Sequence, residues 1–239
     1  MNIISNTVSY ADDQVELEGL FAFDESISGP RPVVLIHHSW VGRDDFVAGK
    51  ARKLAALGYL AFAADCYGKG VLGSNPEQCA ALMQPFMENR ALLQKRLHAA
   101  LTAVKMLPWA DHRRIAAIGF CFGGLCALDL ARSGANLRGA VAFHGLLTPA
   151  DNIPEPDIKA KILVLHGHDD PMAPPAHVLA LQNELTRANV DWQTHIYGQT
   201  MHAFTNPLAN NPDFGTVYQS RSDERACLAM RNFLVEVFI

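Results

Sequence analysis

Gly119-Phe120-Cys121-Phe122-Gly123-Gly124 decides the fold, because it sets one thiol between glycines at the end of an apolar run and the start of a helix-like one. Residues 114–120, Arg-Ile-Ala-Ala-Ile-Gly-Phe, read as a short buried strand. Leu125, Leu128 and Ala131 then recur at helical spacing up to Gly134, a natural C-terminal stop. Cys121 falls in the turn between them. A strand that turns sharply into a helix drives the turn residue into a strained backbone conformation. Side chains at 119 and 123 would collide there, so both positions need glycine. The pattern is a Gly-x-nucleophile-x-Gly elbow with sulfur in place of the usual serine oxygen. The competing reading is a small buried hydrophobe, as most free cysteines are.

Outward from the elbow, the chain supplies the groups such a nucleophile needs, in the order nucleophile, acid, histidine. Lys161-Ile-Leu-Val-Leu-His166 is a continuous apolar strand, followed by the polar loop Gly167-His168-Asp169-Asp170-Pro171-Met172-Ala173-Pro174. Further on, Asp191-Trp-Gln-Thr-His-Ile-Tyr197 alternates as a half-buried strand and gives way to Gly198-Gln-Thr-Met-His202-Ala-Phe204. An aspartate in the first loop and His202 in the second therefore stand in the contexts the elbow requires.

The remaining pattern is of strands alternating with helices. Residues 3–10 and 14–23 read as two early strands joined through Ala11-Asp12-Asp13, and 33–36 as a buried strand. A helix carrying Val47, Ala51, Leu54 and Ala55 stops at Gly58, and 59–64 is the next strand. Residues 76–107 are largely helical, the whole segment 66–107 is long enough to arch over a site, 139–143 form a strand, and helices run over 175–188 and about 223–237. This alternation implies right-handed crossovers and a mostly parallel central sheet with helices on both faces. No repeat or Gly/Ser linker divides the chain, so the expectation is a single α/β domain over 1–239 with no separate cap domain.

With 239 residues, about half of them hydrophobic, the chain can bury a large core. A formal net charge of −4 gives no electrostatic footprint for nucleic acid or an anionic membrane. Neither a basic, apolar leader nor a long apolar run is present, and the five cysteines (66, 79, 121, 126 and 227) show no Cys-x-x-Cys pair. Free thiols fit a reducing compartment. These features predict a soluble cytoplasmic protein and leave the oligomeric state open.

Taken together, His38-x-Trp40-x-Gly42, Leu57-Gly58-Tyr59 leading to Asp65-x-Tyr67-Gly68, the cysteine elbow, His166-Gly167-x-x-Asp170 and His202-Ala203-Phe204 make the chain resemble the dienelactone hydrolase family of the α/β-hydrolase fold over nearly its whole length. The resemblance implies a cofactor-independent hydrolase of lactones and small esters. It implies Cys121, Asp170 and His202 as the triad, and the backbone N–H groups of Trp40 and Phe122 as oxyanion donors. Family spacing favours Asp170 over Asp169, which is left to cap the following helix. Departures from the family pattern bear on substrate. Ser39 stands where a glutamate contacts the resting thiol, Asn206 replaces an arginine that binds a substrate carboxylate, and Lys69 replaces a second arginine. Lysine lacks the bidentate fork of arginine. Arg90, in the overhanging helical segment, is a candidate replacement.

The chemistry agrees with that assignment. A free thiol is only a few per cent thiolate at neutral pH, so it needs a base within reach. His202 is the candidate, with Asp170 holding its tautomer. Two other readings remain. His166, His168 and Asp170, with His37 and His38 near another strand end, suggest a metal-assisted hydrolase, although they lack the coherent spacing of zinc sites. A binding protein that retains the elbow as a ligand pocket is the non-catalytic reading. Cys126 is expected to pack in the core, and His144 either to line the pocket or to satisfy backbone groups. The sequence therefore predicts a hydrolase that opens a lactone or cleaves a small ester through Cys121, with a small-molecule substrate and no cofactor.

Overall fold

The computed structural model describes residues 1–153 and 156–239. Its frame is an eight-stranded sheet in the order β1-β2-β4-β3-β5-β6-β7-β8. The strands are β1 (Ile3–Asp12), β2 (Val15–Asp24), β3 (Arg31–His37), β4 (Leu60–Ala64), β5 (Ala110–Phe120), β6 (Gly139–Phe143), β7 (Lys161–Gly167) and β8 (Trp192–Tyr197). The β1–β2 hairpin is antiparallel and so is its junction with β4, and every pairing from β4 to β8 is parallel.

Two-residue alternation in the parallel strands explains why they read as unbroken apolar runs. Val33, Leu35, Ile115, Ala117, Ala140, Ala142, Ile162 and Val164 face one helical layer, built from α3 (Arg90–Lys105), α4 (Phe122–Arg132) and α5 (Pro175–Arg187). Their neighbours Val34, Ile36, Ala116, Ile118, Val141, Phe143, Leu163 and Leu165 face the other, built from α1 (Asp45–Ala55) and α6 (Ser220–Phe238). Helix α4 is buried on all sides, with Leu125, Leu128 and Leu130 inside. Each such side chain stabilises the fold by about 1.5–3 kcal/mol.

The predicted elements are present, with four main differences. Strand β5 begins at Ala110, four residues before the apolar run that marks it. The helical stretch from Pro76 breaks at Asn89 into α2 (Pro76–Glu88) and α3, and the Asn89 side chain caps α3 by accepting from Leu92 N–H at 2.9 Å. Helix α6 begins three residues earlier than the apolar spacing indicates. A small hairpin of β9 (Asn210–Asn211) and β10 (Thr216–Val217) was not anticipated. Its turn, Asn211-Pro-Asp-Phe-Gly215, has the composition that closes tight turns, with Gly215 at φ +78°. Its strands are too short to leave an alternating signal. Among the described residues no helix is long and apolar enough to cross a membrane.

A buried charge network ties three helices together. Asp129 on α4 accepts from Arg90 of α3 through two bonds of 2.7 and 2.5 Å and from Arg132 at 3.1 Å, and Arg132 reaches Glu184 of α5 at 2.7 and 2.8 Å. Removing Asp129 would leave two guanidinium groups buried without their shared partner, so Asp129→Ala is expected to cost about 3–5 kcal/mol. Urea unfolding checks this, with Asp169→Ala, at an exposed carboxylate, as the control that changes little.

Candidate active site

The sheet order places the site. After β4 the chain crosses to the other side of β3 to make β5, so the connections diverge between β3 and β5. A crevice opens outside the carboxyl ends of strands at such a switch point. The register brings those ends level: His37 pairs with Gly119, Phe120 with Phe143 and Gly167 with Tyr197. Everything proposed for the site from the sequence, apart from Lys69 and Arg90, follows one of these ends.

Cys121 caps the N-terminus of α4 with φ +58° and ψ −119°, a conformation costly for any residue with a Cβ. Its own N–H donates to Phe143 carbonyl at 3.0 Å, and its carbonyl accepts from Gly124 at 2.9 Å. A methyl group on Gly119 would lie 1.8 Å from the Gly123 carbonyl oxygen, and one on Gly123 would lie 2.2 Å from that of His37. Only glycine fits either place. Phe122 N–H, the first of α4, has no carbonyl one turn back within the helix to donate to.

The second wall of the crevice is the loop after β3. His38 is buried, and its Nε2 accepts from Cys66 N–H at 3.1 Å, so its proton sits on Nδ1, 2.6 Å from Ser39 carbonyl. Burial lowers its pKa, and the ring stays neutral. Tyr67 O–H donates to Trp40 carbonyl at 3.1 Å and fixes the orientation of that peptide. Asp44 caps α1 by accepting from Val47 N–H at 3.3 Å; burial raises its pKa, with that N–H acting in the opposite sense.

His202 and Asp170 meet from two later loops. His202 Nδ1 lies 2.7 Å from Asp170 Oδ2, while Asp170 Oδ1 accepts from Met172 N–H at 2.8 Å and Ala173 N–H at 3.3 Å. The other nitrogen of His202 is buried without a hydrogen-bond partner, and His202 and Cys121 line the same cavity. The unanticipated hairpin holds the His202 backbone on both sides, since His202 N–H donates to Gly215 carbonyl at 2.9 Å and Val217 N–H to His202 carbonyl at 3.1 Å. Burial opposes the imidazolium most strongly. The Cys121 sulfur and the Asp170 carboxylate overcome it and raise the His202 pKa to about 10. His144, whose ring centroid is 5.0 Å from that of His202, donates to or accepts from Thr205 Oγ1 at 2.8 Å. Burial first, and the neighbouring His202 next, push its pKa well down.

These groups open into a cavity of about 660 Å³ lined by Cys121, His202, Ser39, Trp40, Asn206 and His144, with Phe214 of the hairpin turn stacked on Trp40 at 5.7 Å. Pro76 and Met83 of α2 complete the wall, so the segment that was expected to overhang the site does so. Sequence reasoning missed Asp44, Met172 and Phe214 as lining residues; the Pro-Asp-x-Gly turn was the available signal for the last.

Three expectations are corrected. Lys69 does not reach the cavity: its exposed ammonium lies 2.7 Å from Glu16 Oε1, at the β2 side of the sheet. Arg90 does not reach it either, being held in the Asp129 network. Asp169 does not cap α5, whose N-cap is Pro174 without a side-chain bond; Asp169 is exposed. His166 and Asp170 are buried and 4.0 Å apart, whereas His168 is exposed. No three His, Cys, Asp or Glu side chains among the described residues are grouped to hold a metal ion. Cys126 is buried, as expected.

The mostly parallel sheet, the strained elbow between β5 and α4 and the loops after β7 and β8 define the α/β-hydrolase fold. The chain belongs to the dienelactone hydrolase family, which it matches over residues 17–238. It is 36% identical to a dienelactone hydrolase-like promiscuous phosphotriesterase from metagenomic libraries, with a TM-score of 0.95 and 100% of each chain covered. It is also similar to an uncharacterized protein of Caenorhabditis elegans, at 38% identity over 61% of this chain and 94% of the relative. A Yersinia pestis protein named as a candidate carboxymethylenebutenolidase is 28% identical over 87% of this chain and 79% of its own length.

The raised His202 pKa has a thermodynamic consequence. A group whose folded pKa lies above its unfolded value stabilises the fold fully below the unfolded pKa and loses that contribution as pH rises through the folded one. For His202 the window runs from the ordinary value of 6.5 to about 10. The stability advantage of the wild type over His202→Gln, measured by urea unfolding, is expected to shrink steadily across that window. An advantage that stays constant would contradict the assigned charge pairing.

Proposed function

We propose that the protein is a cofactor-independent hydrolase that opens a lactone or cleaves a small ester through an acyl-thioester on Cys121. The observation that carries this reading is a thiol on a strained elbow sharing a cavity with a buried imidazole, one nitrogen of which is 2.7 Å from a buried carboxylate. Asp170 keeps the His202 proton on Nδ1 in the neutral ring and favours the imidazolium when Nε2 takes a second proton. The Cys121 thiolate attacks the carbonyl carbon, a C–S bond forms, and negative charge moves to the carbonyl oxygen. Phe122 N–H, at the positive end of α4, and Trp40 N–H stabilise that oxygen. The His202 Nε2 proton passes to the leaving oxygen as the C–O bond breaks. Water then loses a proton to Nε2, attacks the thioester, and releases the acid with the thiolate restored.

Ser39 cannot supply the carboxylate that contacts the resting thiol in the family pattern. Activation therefore rests on His202 and Asp170, consistent with the raised imidazole pKa. A phosphotriester is a second reading, favoured by the full-length similarity to the promiscuous phosphotriesterase. It offers the same thiolate a neutral phosphorus centre and the same His202 proton a leaving oxygen.

Incubation with an activated small ester is expected to add one acyl group to Cys121, located by peptide mass spectrometry, and Cys121→Ala is expected to abolish turnover. Turnover that survives Cys121→Ala would overturn the mechanism. Asp170→Asn is expected to lower kcat by about three to four orders of magnitude while leaving KM nearly unchanged. Asp169→Asn, at an exposed position, is expected to leave both within about twofold.

A further inference from the structure

The charges around the cavity are arranged against an anionic substrate. Among the described residues no lysine or arginine lines it. Of the basic side chains on neighbouring segments, Arg43 and Lys69 pair with carboxylates away from the cavity, whereas Lys50 sits behind two of its wall rings without lining it. Lys50 lies over the rings of Phe46 and Phe120, 5.0 and 5.3 Å from their centroids, and 3.8 Å from Asp223. Arg43 pairs with Glu18 at 2.5 Å and Lys69 with Glu16 at 2.7 Å. The positive charge on His202 is matched by the Asp170 carboxylate. Asp44, by contrast, lines the cavity; burial raises its pKa, while the Val47 N–H and the positive N-terminus of α1 that it caps act toward the ionised form. The other walls are largely apolar: Trp40, Phe46, Met83, Phe120, Leu146 and Phe214.

We infer, on the basis of the acyl-enzyme reading above, that the substrate is a neutral ester or lactone carrying an apolar group, and that Asp44 is the side chain that discriminates against anionic acyl groups. A carboxylate entering this cavity would give up water without gaining a cationic partner and would approach Asp44. Each effect is unfavourable. An apolar acyl or alkoxy group gains on the same surface, because it leaves water for rings and thioether side chains. The rule extends to the product. Hydrolysis converts the neutral ester into a carboxylate beside Asp44, in a cavity that offers it no counter-charge, so the product is expelled and inhibits weakly.

The test compares methyl 4-nitrophenyl adipate with mono-4-nitrophenyl adipate, which share chain length and leaving group and differ in one remote charge. Rates are divided by those of hydroxide hydrolysis, and Cys121 acylation is followed by mass spectrometry alongside 4-nitrophenolate release. The neutral ester is expected to have the higher kcat/KM by about tenfold or more. Asp44→Asn keeps the helix cap and is expected to narrow the ratio by about three- to fivefold, acting on the anionic ester. Raising the salt concentration in the wild type is expected to narrow it in the same direction, and needs no variant. An anionic ester acylating Cys121 as fast as the neutral one would overturn the inference and leave the acyl-enzyme mechanism standing. A ratio unchanged in Asp44→Asn and unchanged by salt would remove Asp44 from it. Turnover of both esters by Cys121→Ala would instead defeat the acyl-enzyme reading.

Discussion

The close approach of three backbones at the end of β5 governs the rest of the site. Strand β5, helix α4 and the end of β3 are packed so tightly that a single carbon on Gly119 or Gly123 would fall within covalent-like distance of a carbonyl oxygen. Cys121 is the residue that must carry the resulting bend, at φ +58°. A non-glycine residue in such a region costs about 1–3 kcal/mol. The surrounding packing offsets it: α4 buries its entire length between β5, β6 and α3. The same bend points the sulfur out of the sheet, starts a helix at Phe122 and leaves that residue's N–H free of intrahelical bonding. The positions proposed for the nucleophile and the oxyanion donor are thus consequences of one steric constraint.

What the sequence makes legible follows from how local each signal is. The elbow was readable because its glycines are required by contacts four residues apart or less, plus one neighbouring strand. The parallel strands were readable because burial on both faces leaves unbroken apolar runs such as 33–36 and 161–166. The loop positions of Asp170 and His202 follow from strand ends, which those runs mark. Lys69 was misplaced because its partner, Glu16, sits 53 positions earlier on β2, and nothing local announces that pairing. Arg90 was misplaced for a similar reason: a buried guanidinium fixed by Asp129, 39 positions away, looks in sequence like any helical arginine. The β9–β10 hairpin was missed because two-residue strands carry no period. It matters here, since it grips the His202 backbone and delivers Phe214 to Trp40.

Buried histidines show how burial sorts residues of one type into different tasks. His37, His38 and His144 are all pushed toward the neutral form by loss of water, His37 to about 3. His38 spends its two nitrogens on Cys66 N–H and Ser39 carbonyl, which makes it a brace for the loop carrying Trp40. His202 is as deeply buried but is pushed the other way, because a sulfur and a carboxylate act on it. Desolvation strengthens those contacts at the same time as it penalises the charge. The imidazole that can hold a proton is therefore marked out by its partners, and no difference in exposure separates it from its neutral neighbours.

That contrast also limits what the cavity can bind. Arg90, Lys69 and Arg43 are drawn to carboxylates away from the cavity, namely Asp129, Glu16 and Glu18, and Lys50 lies behind the wall rings Phe46 and Phe120, near Asp223. Lys69 and Asn206 stand where the family resemblance places substrate carboxylate recognition, and Arg90 was the candidate replacement. An ester site needs positive potential only at the carbonyl oxygen, and backbone N–H groups at the start of α4 can supply it without attracting an anion to the rest of the cavity. Any cation added to the walls would also hold the carboxylate product after each turnover. With the proposed ester as substrate, a cavity lined by rings, thioethers and one carboxylate would confine the attraction to the reacting oxygen and direct binding energy at the transition state more than at the product.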